Sequence, residues 1–335
     1  FVSAGAVDGE TVTYGIQDGS NSEIGRGVYT ASGTTLTRSV LKSTNAGSAI
    51  NLSGTAQVFI TPCAEDFREV LTAARTYYVR TDGSDSNTGL ANTAGGAFLT
   101  IQKAVDVVAS IDLSIYNVTI KLATGTYSTT TGTVLKNCAG AGGVTIEGDT
   151  ATPSNVVLTT SGVMTALTGT IYASGLTTIY TVTGVKFTST ATGTIWSIVA
   201  AFGSTVLVGA NDFGSGYAAH IRAEHAGIIR VVASYTVSAS VAVHITCNQG
   251  SGFRVNASSG FTVTLTGTPA FSSSFIQLTG VSWVSVTTGA LAFSGSGTGI
   301  RYNVVANSAL NTGGAGASYF PGDTAGVTGT GGQYL

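Results

Sequence analysis

The chain has 335 residues, of which only 14 are Lys or Arg and 16 are Asp or Glu, so its formal net charge is −2. This balance gives no electrostatic reason to expect nucleic acid as a partner, and no apolar run reaches the roughly 18–20 residues of a membrane span, so we expect no membrane insertion. The 46 glycines do not recur at every third position, which excludes collagen, and 43% hydrophobic residues are too many for a disordered chain.

The few charges are unevenly distributed along the chain. Residues 1–112 hold 11 of the 16 carboxylates, and the remainder is built from Thr, Ser, Gly, Ala and Val in short alternating runs. A surface so poor in charge must expose Thr, Ser and Asn, which regular β-structure tolerates because its backbone is bonded internally. We therefore predict an all-β fold, with little material for carboxylate catalysis.

Residues 1–62 are predicted to form a small β module. β-forming residues alternate or cluster at 11–14, 27–30, 35–41 and 57–61, and Gly-containing turn signals separate them. Strands this short are not stable alone, so the module must pack on something.

A junction follows at 63–116, and it contains a strand candidate at Tyr77–Val79. Thr100 is then predicted to cap a helix over 100–110. The apolar residues of this helix recur with helical spacing: Ile101, Ala104, Val105 and Val108. Such an amphipathic helix needs a hydrophobic surface to cover, and repeated strands follow it directly. We predict that it caps the end of those repeats.

An oxygen-rich segment within the junction, residues 82–89, has two interpretations. Asp82, Asp85 and Asn87 supply the density of oxygen ligands that calcium prefers. The segment lacks the closing Glu of an EF-hand, and Asx-turns account for the same residues without a metal. The three cysteines are odd in number and far apart, so they indicate no metal site, and we expect no cofactor.

Short β-forming runs recur from 117 to 310. Most of them start roughly 20–25 residues apart, which is the spacing of a solenoid with one coil per period. Inward positions would stack Val, Ile, Leu and Phe, while outward positions would carry Thr, Ser and Asn. We predict a right-handed parallel β-helix over 117–310, followed by a Gly-rich C-terminal segment at 311–335.

Several stretches resemble known protein families. Four of them are similar to the opening segment and first coils of pectate-lyase-like right-handed β-helices: 77–89, 97–105, 120–127 and 144–149. Residues 12–38 and 319–334 resemble modules that recur in tail and spike proteins of tailed phages. The resemblance implies a virion fibre or spike protein, most often a homotrimer. No catalytic motif of the lyases has a match here, so the resemblance implies no catalytic residue.

The carboxylates of the repeat region are the candidates for catalysis. A glycosidase needs two carboxyl groups about 5–5.5 Å apart if it retains configuration, and about 6.5–9.5 Å apart if it inverts. Glu147 and Asp149 lie two residues apart on one strand, hence about 7 Å apart on one face, although an outward pair is more often a solvated face. Asp212 and Glu224 lie within one coil length and form the second candidate pair.

The densest polar and aromatic cluster of the repeats surrounds the second pair. His220 is a candidate acid or base, and three residues are candidates for glycan contacts: Tyr217, Arg222 and His225. A longer turn with surface charges explains the same cluster without a site. His244 alternates with apolar neighbours, so we predict that it faces outward.

Two functions stay open. The first is a structural protein of a tailed-phage virion, exposed on the particle, which contacts other virion proteins through its N-terminal region and a host cell-surface glycan. The alternative is a polysaccharide depolymerase, either a glycosidase or a lyase. The scarcity of carboxylates favours the first. An apolar outer surface that includes Trp196 and Trp283 indicates a homotrimer.

Overall fold

A computed structural model describes residues 2, 5–162, 169–255, 260–286 and 289–335. The chain divides into two compact units, Phe1–Glu69 and Val70–Leu335. The prediction of an all-β fold is confirmed, because the larger unit is a stack of parallel sheets that winds into a β-solenoid of about eight turns.

The N-terminal unit is built on an antiparallel sheet. Its strands are Thr11–Asp18, Asn21–Thr30, Thr35–Leu36, Ser39–Ser43 and Gln57–Ile60, and a 3-10 turn follows at Ala64–Asp66. A buried carboxylate holds the unit together: Glu23 accepts hydrogen bonds from the Tyr14 hydroxyl at 2.7 Å, from the Ile50 backbone at 2.8 Å and from the Arg38 guanidinium. Burial would raise the pKa of Glu23, but these donors hold it below its ordinary value.

Three parallel sheets form the faces of the solenoid within the described residues. Sheet 1 contains Arg75–Val79, Val118–Leu122, Val144–Glu147, Tyr180–Thr183, Thr205–Val208, Ile228–Val231, Gly252–Val255, Trp283–Ser285, Ala309–Asn311 and Gln333–Tyr334. Sheet 2 contains Gly125–Thr129, Val156–Thr160, Lys186–Ser189, Asp212–Phe213, Tyr235–Val237, Phe261–Leu265 and Leu291–Ser294. Sheet 3 contains Thr133–Val134, Gly169–Ser174, Trp196–Ala201, Ala219–Glu224, Val241–Cys247, Ala270–Leu278, Thr298–Gly299, Tyr302–Val304 and Val327–Thr328.

Each strand pairs in parallel with the equivalent strand one coil away. Val206, for example, lies opposite Ile229, which in turn lies opposite Phe253. All three side chains are fully buried, so apolar residues stack on one another from coil to coil. The alternation of inward Val, Ile, Leu and Phe with outward polar residues therefore continues along the stack.

The parallel stack is longer than the range 117–310 that the recurrence predicted. It begins with Arg75–Val79, inside the predicted junction, and its last strand in sheet 1 is Gln333–Tyr334, inside the Gly-rich C-terminal segment. The helix lies between Arg75–Val79 and the next strand of sheet 1, so this interval is longer than one coil. Gly331 and Gly332 directly precede the short last strand and obscure its pattern.

The predicted helix is confirmed as Ile101–Ser110. The Thr100 hydroxyl accepts a hydrogen bond from the Lys103 backbone at 3.1 Å, which satisfies one of the free N–H groups of the first turn. The four predicted apolar residues are buried, and the helix contacts the first strands of sheets 1 and 3. It therefore covers apolar surface at the N-terminal end of the stack. A 3-10 turn lies at Pro153–Asn155, and the described part of the chain contains no helix long and apolar enough to cross a bilayer.

Aromatic rings form a column through the middle of the solenoid core. Phe187 stacks on Phe213 with ring centroids 5.5 Å apart, and Phe213 meets the edge of Tyr235 at 5.5 Å. Phe275 continues the column toward the last coils, where it lies 6.2 Å from Phe320. Two histidines lie within the same column, with ring centroids 5.1 Å apart, and are hydrogen-bonded to each other.

Candidate functional site

The structure does not bring Asp212 and Glu224 together. Asp212 lies on sheet 2, and its Oδ2 is 2.8 Å from Lys186 Nζ. Glu224 lies at the end of a strand of sheet 3, and its Oε2 is 2.6 Å from the guanidinium of Arg222. Each carboxylate is therefore neutralised by its own cation on a different face, which is an arrangement for ion pairing rather than for acid–base catalysis across a groove.

The predicted glycan contact Tyr217 is buried in the chain. Its hydroxyl donates to the Thr188 carbonyl at 2.7 Å and lies 2.9 Å from Thr170 Oγ1. Burial raises the pKa of Tyr217 to about 12. The side chain therefore closes the corner between two strands and does not reach the surface of the chain.

His220 is fully buried and pairs with His244 of the next coil. The two Nδ1 atoms are 2.9 Å apart, His220 Nε2 is 3.0 Å from the Gly214 carbonyl, and His244 Nε2 is 3.0 Å from the Tyr235 hydroxyl. The carbonyl can only accept, so His220 carries its proton on Nε2, and its Nδ1 accepts from His244. Tyr235 then donates to His244. Every polar atom in this series of hydrogen bonds between neutral side chains has a partner.

The prediction that His244 faces outward is wrong. Its side chain has no exposed surface, and all residues of 243–247 are buried. Strand alternation breaks here because the hydrogen bonds to His220 and Tyr235 remove the penalty for burying a polar ring. Burial lowers the pKa of His220 to about 4 and that of His244 well below its ordinary value, so both rings are neutral.

Glu147 and Asp149 also have structural partners. Glu147 Oε1 is 2.6 Å from Lys121 Nζ of the preceding coil. Asp149 accepts from the backbone N–H groups of Thr152 and Ala151 and from the Asn155 side chain, which orders the turn before Pro153–Asn155. The hydrogen bond from Thr152 lowers the pKa of Asp149, since it favours the charged form.

The oxygen-rich segment 82–89 uses its side chains in local structure. Asp82 pairs with Arg80 at 2.8 Å, and Asp85 accepts from the Leu99 and Thr100 backbone and from the Thr100 hydroxyl. Asn87 donates to two carbonyls of the loop that leads into the helix. Within the described residues, no three His, Cys, Asp or Glu side chains group closely enough to hold a metal ion.

An exposed aromatic stack is present at the corner where sheet 3 passes into sheet 1. The rings of Phe202 and His225 lie 4.4 Å apart and only 9° from parallel, and 55% of Phe202 is exposed. Both residues have left-handed backbone with φ of 51° and 47°. Just before the corner, the Arg222 guanidinium lies 4.1 Å from the centre of the Trp196 ring. Two of the three predicted glycan contacts, Arg222 and His225, thus lie near this corner.

Sequence reasoning missed Phe202 as a partner of His225. The stack forms because the two residues occupy equivalent positions of consecutive coils, where the Gly203 N–H donates to the His225 carbonyl at 3.2 Å. The sequence did contain one signal for this site: in Phe202-Gly203, an aromatic residue precedes glycine at the end of a strand. A separate groove of about 420 Å³ beside the helix is lined mainly by Thr residues, with Tyr127, Gln102 and a few apolar side chains. It has no charged side chain and contains none of the predicted catalytic residues.

These features define the chain as a parallel β-solenoid protein with an antiparallel N-terminal unit. No protein-family model, no curated protein and no solved structure matches it.

Proposed function

We propose that the chain is a fibre or spike protein of a tailed-phage virion, which attaches the particle to a host cell-surface glycan. The sequence resemblance of 12–38 and 319–334 to phage tail modules supports this proposal. The observation that carries it is the exposed stack of Phe202 on His225, held on a stiff solenoid. Exposed aromatic faces beside polar groups are suited to the apolar faces and hydroxyls of sugars.

The test of attachment uses fluorescently labelled protein and intact host cells, with purified capsule or lipopolysaccharide as competitor. We expect Phe202→Ala to weaken cell binding at least severalfold, because it removes half of the aromatic stack. Phe67→Ala is the matched control, since Phe67 is 67% exposed but lies in the N-terminal unit. Equal binding by wild type and Phe202→Ala would contradict this site, and failure of both to bind cells would contradict the function.

We also propose that the protein is a homotrimer, with its N-terminal unit attached to other virion proteins. Several apolar side chains are exposed on the solenoid, including Ile115 at 75% and Ile179 at 47%. Exposed apolar surface of this kind commonly marks an interface. Light scattering of the purified protein should give three times the chain mass of 33.5 kDa, and a stable monomer would contradict the proposal. Antibody labelling of particles by electron microscopy should place the chain on the virion.

The same material tests for depolymerase activity. Asp212 and Glu224 are each held in a separate ion pair on different sheets, so we expect no release of short oligosaccharides from host polysaccharide. Release that Asp212→Ala or Glu224→Ala abolishes would favour the depolymerase instead.

A further inference from the structure

We propose that the outer face of sheet 1 binds an anionic sugar residue through Arg230, Arg254 and Trp283. This anion site is separate from the aromatic stack on the corner. The proposal rests on the proposed function in one respect: it takes the anionic group to be part of a glycan.

The two arginines lie side by side on neighbouring coils. Arg230 and Arg254 are direct partners in the parallel register of sheet 1, which places their backbones about 4.8 Å apart. Each alternates with core residues, Ile229 and Val231 on one strand and Phe253 and Val255 on the other. Both guanidinium groups therefore point away from the core on the same face.

The carboxylates of the surrounding coils are already paired with other cations. Between residues 150 and 322 the sequence contains only two carboxylates, Asp212 and Glu224, and these pair with Lys186 and Arg222. In the described part of the chain, the buried Nε of Arg230 has no hydrogen-bond partner. Like charges directly opposite each other destabilise a sheet, so an anion bound between the two guanidinium groups removes their repulsion.

A tryptophan lies beside the arginines on the next coil. Trp283 is the register partner of Gly252, and its indole ring lies against the Gly252 backbone. A Cβ at Gly252 would be 2.2 Å from Trp283 Cζ2, so only glycine leaves room for the ring in this position. Gly252 and Arg254 are two residues apart on one strand, which separates the ring from the arginine row by about 7 Å.

This spacing matches one substituted sugar. A hexose ring stacked on the half-buried indole would carry its acidic group to the arginines, whose planar guanidinium forks bind carboxylate, sulfate or phosphate in a bidentate manner. The ligand class is therefore a polysaccharide with acidic sugars, and a neutral glycan would leave the charge of Arg230 and Arg254 unmatched.

The test compares oligosaccharides that differ only in charge. The chain has two tryptophans, so Trp196→Phe leaves Trp283 as the only tryptophan whose fluorescence reports binding. Oligogalacturonate, its methyl ester, and sulfated and phosphorylated oligosaccharides of equal length are titrated into this protein at low salt and at high salt. We expect the acidic ligands to bind at least tenfold more tightly than the methyl ester, with an advantage that salt reduces. The acidic ligand that binds most tightly identifies the substituent.

Variants assign the anion to this face. Arg254→Gln should weaken acidic-ligand binding about 10- to 100-fold, which is the value of a hydrogen bond to a charged group, while leaving the weak methyl ester binding unchanged. Arg68→Gln, an exposed arginine of the N-terminal unit, removes the same charge and should have no effect. Gly252→Ala should also weaken binding by displacing the indole, and circular dichroism verifies that each variant is folded.

Equal affinity for the acid and its methyl ester, or an equal loss in Arg68→Gln and Arg254→Gln, would overturn the proposal. Cell attachment distinguishes this failure from failure of the proposed function. If wild-type protein binds host cells but shows no preference for acidic ligands, the attachment function stands and only the anion site is refuted.

Discussion

The buried histidine pair should make the stability of the solenoid depend on pH. Burial lowers the pKa of His220 to about 4 from an ordinary value of 6.5, and lowers that of His244 well below 6.5. Below pH 6.5 the unfolded chain therefore binds protons that the folded chain does not bind. The free energy of unfolding is unaffected by these groups above pH 6.5, and it falls as the pH is lowered from 6.5 toward 4.

The size of the effect for His220 follows from the difference between its ordinary pKa and its lowered pKa in the folded chain. For each pH unit over which the unfolded chain binds one proton more than the folded chain, the free energy of unfolding changes by about 1.4 kcal/mol. Between pH 7.5 and pH 5.0 His220 accounts for about 1.5 such units, hence about 2 kcal/mol. The lowered pKa of His244 acts in the same direction, so the free energy of unfolding should fall by at least about 2 kcal/mol over this range.

Urea unfolding followed by circular dichroism at the two pH values measures this loss. The double variant His220→Phe with His244→Phe should lose at least about 2 kcal/mol less than wild type between pH 7.5 and 5.0. It should also be less stable at pH 7.5, because the Gly214 carbonyl and the Tyr235 hydroxyl lose their partners. His225→Asn is the control, since it removes the remaining histidine, on the exposed corner, and should keep the full pH dependence. Equal pH dependence in wild type and the double variant would refute the reasoning.

Substitutions at three further positions test local energetics by the same unfolding measurement. Val281→Asn should raise the free energy of unfolding by about 1 kcal/mol, because Val281 is β-branched and has φ of 63°, and Asn tolerates this conformation better; an unchanged or lower urea midpoint would contradict this. Thr100→Ala should lower stability by about 1 kcal/mol through loss of the helix cap, whereas Thr100→Ser should retain most of it. Phe213→Ala should cost about 3–5 kcal/mol, because the ring is fully buried in the aromatic column, and a loss below about 1 kcal/mol would show that the column is not close-packed there.

The sequence by itself determined the features that depend on local periodicity. A strand such as Val144–Glu147 alternates buried and outward side chains, and the helix at Ile101–Ser110 repeats its apolar residues every three or four positions. Both periods are visible within a few residues of chain. The recurrence of such strands at coil length then predicted the parallel solenoid, and Thr100 marked the start of its capping helix.

Only the tertiary structure decided which side chains meet. Asp212 and Glu224 are 12 residues apart in the sequence, but the chain turns between them from sheet 2 to sheet 3, so neighbours within a coil separate. His220 and His244 are 24 residues apart and lie in contact, because one full coil returns the chain to the same face.

The register between coils cannot be read from the sequence because the coils differ in length. One coil separates Arg230 from its partner Arg254 by 24 residues, whereas the next separates Gly252 from its partner Trp283 by 31. Part of the difference is a register shift within the paired strands Val241–Cys247 and Ala270–Leu278, where Val241 lies opposite Phe271 but Val243 lies opposite Ser274. Stacking of the buried side chains selects the register, and the register places the arginine pair beside the tryptophan.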